Sequence, residues 1–233
     1  NHNIYALKPT DFHGLTPKLS AKVGDKVLAG SVIFFDKYNE RIKFCSPVSG
    51  TVKDIVRGEK RRILEVIMES DNEQKYVSHS SLNVKNANRE QLIDHMLSNG
   101  VWPFIRQKPY DIIANPSDMP KAIFISAFKS GPLAIDNDFA LYGMDDLFQS
   151  GLDIITKLTN GKTHLNLDGN TNSSKVFSEA KGVEINSFSG PHPAGNVGVQ
   201  IHHINPINKG DIVWYLEPQD VIVIARLFNE GKY

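Results

Sequence analysis

The sequence has 233 residues, 40% of them hydrophobic, with 26 Lys and Arg balanced by 26 Asp and Glu. That neutral balance argues against nucleic acid as a main partner, because phosphate binding needs a basic face. The single cysteine, Cys45, excludes an intramolecular disulfide and any Cys-based zinc or iron–sulfur set.

Domains commonly run to roughly 100–150 residues, so the length favours two small domains. No stretch approaches the ~20 apolar residues that a transmembrane helix needs. The dense basic run Arg57, Lys60, Arg61 and Arg62 reads as a solvated hairpin turn. The chain opens at Asn1 without Met and directly into strand-like residues. We therefore expect a piece of a longer protein, whose missing start could hold a targeting signal.

In chain order, residues 1–80 read as β structure, with short apolar runs at Ser31–Phe35, Arg41–Phe44, Thr51–Val56 and Ile63–Met68. Alternation in Arg41-Ile42-Lys43-Phe44 sends charge outward and bulk inward. Gly24-Asp25, Gly30, Ser49-Gly50 and Arg57-Gly58 supply the turns. Evenly spaced short strands predict a small barrel or sandwich. Residues 81–120 read as a helix and a connector. Asn88 caps the helix, whose apolar face is Leu92, Ile93, Met96 and Leu97, and Gly100 closes it. Pro103, Pro109 and Pro116 predict irregular chain from Trp102 to Met119, since proline donates nothing to a ladder.

Residues 121–233 alternate strand and helix. Strands are expected at Ala122–Ser126, Thr163–Leu167, Val183–Phe188 and Ile212–Leu216. Helices are expected at Met144–Thr159, Ser173–Ala180, Asn196–Ile204 and Gln219–Phe228. Such alternation implies βαβ units and a Rossmann-like α/β domain with a parallel sheet, α+β overall once the β half is counted. Asp136, Asp138, Asp145 and Asp146 read as helix-start acids that complement the macrodipole, and His13 as a turn residue.

Ligands in open α/β sheets sit at the carboxyl ends of strands. The loop Gly190-Pro191-His192-Pro193-Ala194-Gly195 follows the third of these strands and is the natural site. His192, flanked by Pro191 and Pro193, is expected in extended, pre-ordered backbone, with Gly195 closing the loop and His202 and His203 following on the next helix. Histidine titrates near neutrality, so His192 or His202 could hydrogen-bond a ligand's carbonyl or donate a proton. The competing reading is a rigid loop that packs against a neighbouring surface. A metal would need a third ligand, for which no carboxylate or Cys has suitable spacing.

Val23-Gly24-Asp25-Lys26-Val27-Leu28-Ala29-Gly30 together with Ser46-Pro47-Val48-Ser49-Gly50-Thr51-Val52 resembles the biotinyl/lipoyl-type barrel-sandwich domain. Carriers of that type place a modified Lys at the tip of the intervening hairpin. Here the interval is about a residue short, its tip holds Tyr38, Asn39 and Glu40, and Lys37 is displaced. A structural module is the better reading, and a prosthetic-group carrier the lesser one.

A longer resemblance starts at Asp11-Phe12-His13-Gly14 and passes through Phe35-Asp36-Lys37, Arg57-Gly58-Glu59-Lys60-Arg61 and Gly100-Val101-Trp102. It continues through Leu158-Thr159-Asn160-Gly161-Lys162 and Ser189-Gly190-Pro191-His192-Pro193-Ala194-Gly195 to Val213-Trp214 and Gln219-Asp220-Val221. In this order the segments resemble the NqrA family, one of the components of the Na+-translocating NADH:quinone oxidoreductase. The resemblance implies a peripheral subunit on the cytoplasmic face of the bacterial inner membrane, with other subunits of the complex as partners and quinone as the complex's substrate. It makes quinone, or a neighbouring subunit, the candidate contact of Pro191, His192, Pro193, Gly195 and His202. It also implies that FMN, FAD, riboflavin and the 2Fe-2S centre reside on those other subunits. The α/β half is similar to the flavin- and NADH-binding domain of the Rnf complex and of complex I, which keeps an electron-input module open as an alternative. A flavin loop needs glycine for close backbone approach. The matching Gly100-Val101-Trp102-Pro103-Phe104 has bulk and a proline there instead, so we expect no cofactor on this chain.

Overall fold

The structure, a computed structural model, describes residues 3–233; Asn1 lies outside them, and the strand-like residues that follow it form the first strand, Ile4–Leu7. The chain divides into two compact units. One comprises Asn1–Leu82, Ile93–Pro103 and Leu227–Tyr233, the other Asn83–Leu92 and Phe104–Arg226.

The first unit holds β1 (Ile4–Leu7), β2 (Pro17–Leu19), β3 (Lys26–Val27), β4 (Val32–Asp36), β5 (Lys43–Cys45), β6 (Gly50–Arg57) and β7 (Ile63–Ser70). Two antiparallel sheets form, ordered β1-β7-β6-β3 and β2-β4-β5. Their inward residues, among them Ile33, Phe34, Phe44, Val52, Val66 and Met68, are buried, and the Phe34 and Phe44 rings stack 4.7 Å apart. The basic residues between β6 and β7 are solvent-facing apart from a half-buried backbone turn, as a charged hairpin requires.

Helix α1 (Arg89–Ser98) starts with a reciprocal capping box: Gln91 N–H donates to Asn88 Oδ1 at 2.9 Å, and Asn88 N–H donates to Gln91 Oε1 at 3.0 Å. Gly100 ends it with φ 79°, and a Cβ there would lie 2.3 Å from Cys45 Sγ. Glycine is required at that position on both counts.

The stretch expected to be irregular is not. After the buried turn Trp102–Phe104, β8 (Arg106–Lys108) and β9 (Ile112–Ile113) form an antiparallel hairpin on the edge of the second unit's sheet. The prolines do not obstruct it because Pro103, Pro109 and Pro116 all fall outside the ladder, in turns.

The second unit continues with β10 (Ala122–Ser126), α2 (Asn137–Ala140), α3 (Asp145–Ile155), β11 (Lys162–Asp168), α4 (Lys175–Ser178), β12 (Glu184–Phe188), α5 (Val197–Ile204), β13 (Val213–Leu216) and α6 (Pro218–Glu230). Its sheet is ordered β12-β11-β10-β13-β8-β9. The first four strands are parallel, as expected of βαβ units, while β8 and β9 add an antiparallel edge. All five residues of β10 are buried, which fits a central strand covered on both faces. Helix α4 opens at Ser174 rather than Ser173, and Ser174 N–H is anchored by Asp138 at 2.6 Å. Asp136 caps α2 by accepting Phe139 N–H, and Asp145 and Asp146 occupy the first turn of α3. Among the described residues no helix is long and apolar enough to cross a membrane.

Candidate functional site

The chain runs outward from β10 through β11 to β12, then returns to the other side of β10 as β13. The strand order therefore reverses between β10 and β13, and a crevice opens at their carboxyl ends. Helix α5 makes the return, packing Ile201 on Ala122, Phe124 and Val213, and its N-terminus reaches this crevice.

A cleft of about 500 Å³ lies here, lined by residues including Lys108, Lys129, Ser130, His192, Tyr215 and Glu217. Lys129, just past β10, pairs with Glu217, just past β13, at 2.5 Å, so an ion pair spans the reversal point. Asp220 accepts the Glu217 N–H at 2.9 Å at the start of α6. Burial of the Asp220 carboxyl, reinforced by the Glu217 charge, outweighs that hydrogen bond and pushes its pKa up to about 7. On the opposite wall, Tyr215 donates to Asp111 Oδ1 at 2.5 Å, and Lys108 Nζ stands 3.5 Å from the same carboxylate. Burial opposes ionisation of Asp111, but the Tyr215 hydrogen bond and the charges of Lys108 and Arg106 hold its pKa below the usual range. Burial, with the Asp111 contact, raises that of the Tyr215 hydroxyl.

The His192 loop is a turn, not the extended segment expected. Ala194 N–H donates to Pro191 C=O at 2.9 Å and Asn196 N–H to Pro193 C=O at 2.8 Å. The backbone folds because Gly195 packs onto the loop after β10: its N–H donates to Ser130 Oγ at 2.8 Å, and a Cβ there would meet Ser130 N at 2.2 Å. Ser130 Oγ is also hydrogen-bonded to His192 Nδ1 at 3.2 Å. His192 and Gly195 thus share the cleft, with Pro191 and Pro193 as the exposed shoulders of the turn. His202 lies on the solvent side of α5, its ring 5.7 Å from that of His203, and is not among the cleft's lining residues. Among the described residues no three His, Cys, Asp or Glu side chains come together to hold a metal.

Sequence reading missed the buried polar scaffold beneath the cleft. Asn166 of β11 donates to Gln200 Oε1 of α5 at 2.9 Å and accepts from Asn186 of β12 at 3.0 Å. The Asn166 carbonyl also receives the N–H groups of Ala127 and Phe128, at 2.9 and 3.2 Å. The available signal was a polar residue inside an apolar strand, Leu165-Asn166-Leu167. The flavin-loop position is core: Trp102 and Pro103 are buried. Lys37 lies at the start of its hairpin turn with its ammonium 5.9 Å from the Tyr38 ring.

Two family descriptions match in tandem: the NqrA N-terminal barrel-sandwich hybrid domain over residues 1–71, and the NqrA second alpha/beta domain over residues 87–233. The chain belongs to the NqrA family. Family members include the NqrA component of the Na(+)-translocating NADH-quinone reductase of Saccharophagus degradans, 37% identical over 97% of this chain and 51% of that protein. Its counterparts from Marinomonas sp. and Yersinia pseudotuberculosis are 35% and 34% identical over 95% and 99% of the chain, covering 49% and 52% of their own lengths. The chain spans about half the length of the relatives it matches. The family match confirms the barrel-sandwich and α/β architecture expected from the sequence.

Proposed function

We propose that this chain is the front part of a peripheral, non-catalytic subunit of a Na+-pumping NADH:quinone reductase, held at the cytoplasmic face of the bacterial inner membrane by the complex's other subunits. The observation that carries this reading is the tandem match of both domains, in family order, to proteins named as a component of that enzyme. FMN, FAD, riboflavin and the 2Fe-2S centre belong to the other subunits. The donor set supports that assignment, since one half-buried Cys45 cannot ligate a cluster. Trp102 and Pro103 also fill the position where a flavin would need open glycine backbone.

Within the complex, the cleft under the His192 loop contacts either quinone or a neighbouring subunit. Ser130 and Gly195 hold the imidazole in place, and its remaining ring nitrogen is available for a carbonyl oxygen. His202, on the outer face of α5, serves subunit packing.

The test has two parts. The full-length protein should co-migrate with Na+-dependent NADH:quinone reductase activity in native membrane extracts, and removing it should abolish that activity. Migration apart from the activity would refute the assignment, as would a bound flavin absorbing near 450 nm. Within an assembled complex, His192→Ala should weaken quinone photolabelling of this protein about tenfold, the scale of one lost hydrogen bond to a held group. Unchanged labelling leaves the loop a packing element.

A further inference from the structure

The ten residues 133–142, between β10 and α3, leave four large apolar side chains in solvent. Leu133, Ile135, Phe139 and Tyr142 retain 105%, 47%, 83% and 83% of their full exposure. Exposed apolar residues scattered singly are ordinary, whereas a cluster of them marks an interaction surface. Ile135 precedes the cap of α2, Phe139 follows four residues on and Tyr142 three after that, which aligns them along one side of a helical turn. Leu133 adopts φ 59°, a left-handed backbone that a branched aliphatic residue rarely takes, and does so with its side chain in water.

Beside this patch runs a groove of about 460 Å³ whose lining includes Leu133, Ile135, Asp136, Asp138, Asp168 and Lys129. Lys129 is already neutralised by Glu217 at 2.5 Å, so the groove presents the charge of its carboxylates. The acidity extends along the chain, since residues 130–156 include five Asp and no Lys, Arg or His. Asp145 and Asp146 at the start of α3 are exposed.

We propose that this acid-rimmed apolar face docks a partner protein through a segment that combines apolar side chains with Lys or Arg. Apolar side chains would cover Leu133, Phe139 and Tyr142, while the cations would meet the carboxylates around them. The rim decides against the other occupants. Anionic lipid would be repelled, and a second copy of the same face would set acid against acid. A metal ion needs several ligands converging on one point, and among the described residues no three His, Cys, Asp or Glu side chains do so.

The inference stands on this patch and does not depend on the role of the His192 cleft. To test it, a photoreactive residue replaces Phe139 in the full-length protein, in its own cells, and the cross-linked peptides are sequenced. The expected adduct is a segment of another protein bearing Lys or Arg among apolar residues. Asp145→Lys with Asp146→Lys should cut its yield about tenfold, and the milder Asp145→Asn with Asp146→Asn should cut it less, with thermal midpoints reported for both. Adducts only to lipid, to a second copy or to this chain's own segments would overturn the proposal, as would no adduct or a yield indifferent to the charge changes. If the captured protein is not a subunit of the NADH:quinone reductase, the docking face stands and the functional assignment falls.

Discussion

The two units bury different chemistry. Of the ten buried polar side chains among the described residues, Ser46 and Ser49 are in the β-sandwich unit and the other eight are in the α/β unit. The sandwich is held chiefly by apolar packing, as in the stacked Phe34 and Phe44. In the α/β unit, Asn166, Gln200 and Asn186 join three elements below the cleft. A buried amide network is satisfied in one arrangement only, so it fixes loop positions that an oily core would leave free to adjust. A structural module can rely on bulk alone, but a cleft built from segments far apart in the chain cannot.

The difference can be probed by removing one member from each core. Phe34→Ala should destabilise the sandwich by about 3–5 kcal/mol through lost burial and a residual cavity, read as a drop in denaturant midpoint, with the His192 cleft undisturbed. Asn166→Ala should destabilise less, about 1–3 kcal/mol, because it strips Gln200 Oε1 of its donor and Asn186 of one of its acceptors. Its main signature should be local, with hydrogen exchange accelerating in residues 190–195 before the rest of the sheet. Fast exchange in that loop after Phe34→Ala instead would erase the distinction between the units.

The last probe is pH dependence. Burial lowers the pKa of His79 and His95 in the first unit and of His164 in the second. The unfolded chain therefore takes up protons first, and stability falls as the pH drops below about 6.5. Asp220 acts in the opposite sense. Its folded pKa is raised to about 7, so ionising it weakens the fold progressively as the pH rises from about 4 to about 7. Asp220→Asn should raise the thermal midpoint at pH 8, where the wild-type carboxyl has to ionise in the fold, and should steepen the loss of stability on acidification. Parallel curves for the two proteins would show that Asp220 is ionised freely in the fold.

Periodicity made much of this molecule legible beforehand. Apolar alternation marked the sandwich strands, an Asn88–Gly100 frame marked α1, and strand–helix alternation marked the parallel core. These features are local, since turn residues, caps and amphipathic spacing act over a few positions. The β8–β9 hairpin was hidden because three prolines signal disruption along the sequence, and only the fold shows that they fall in turns beside the ladder. The cleft was half visible. The loop of His192 could be placed at the carboxyl end of a strand, but not its closure onto Ser130 or the Lys129–Glu217 pair.

The sequence by itself determined the family, the two classes of fold and the turns that separate the sandwich strands. Tertiary structure decided which residues share the cleft. Ser130 and Gly195 are 65 positions apart, and Lys129 and Glu217 are farther still; they meet because strand order reverses between β10 and β13. Strand order is set by how helices cover the sheet, a property of the assembled core that no local pattern encodes.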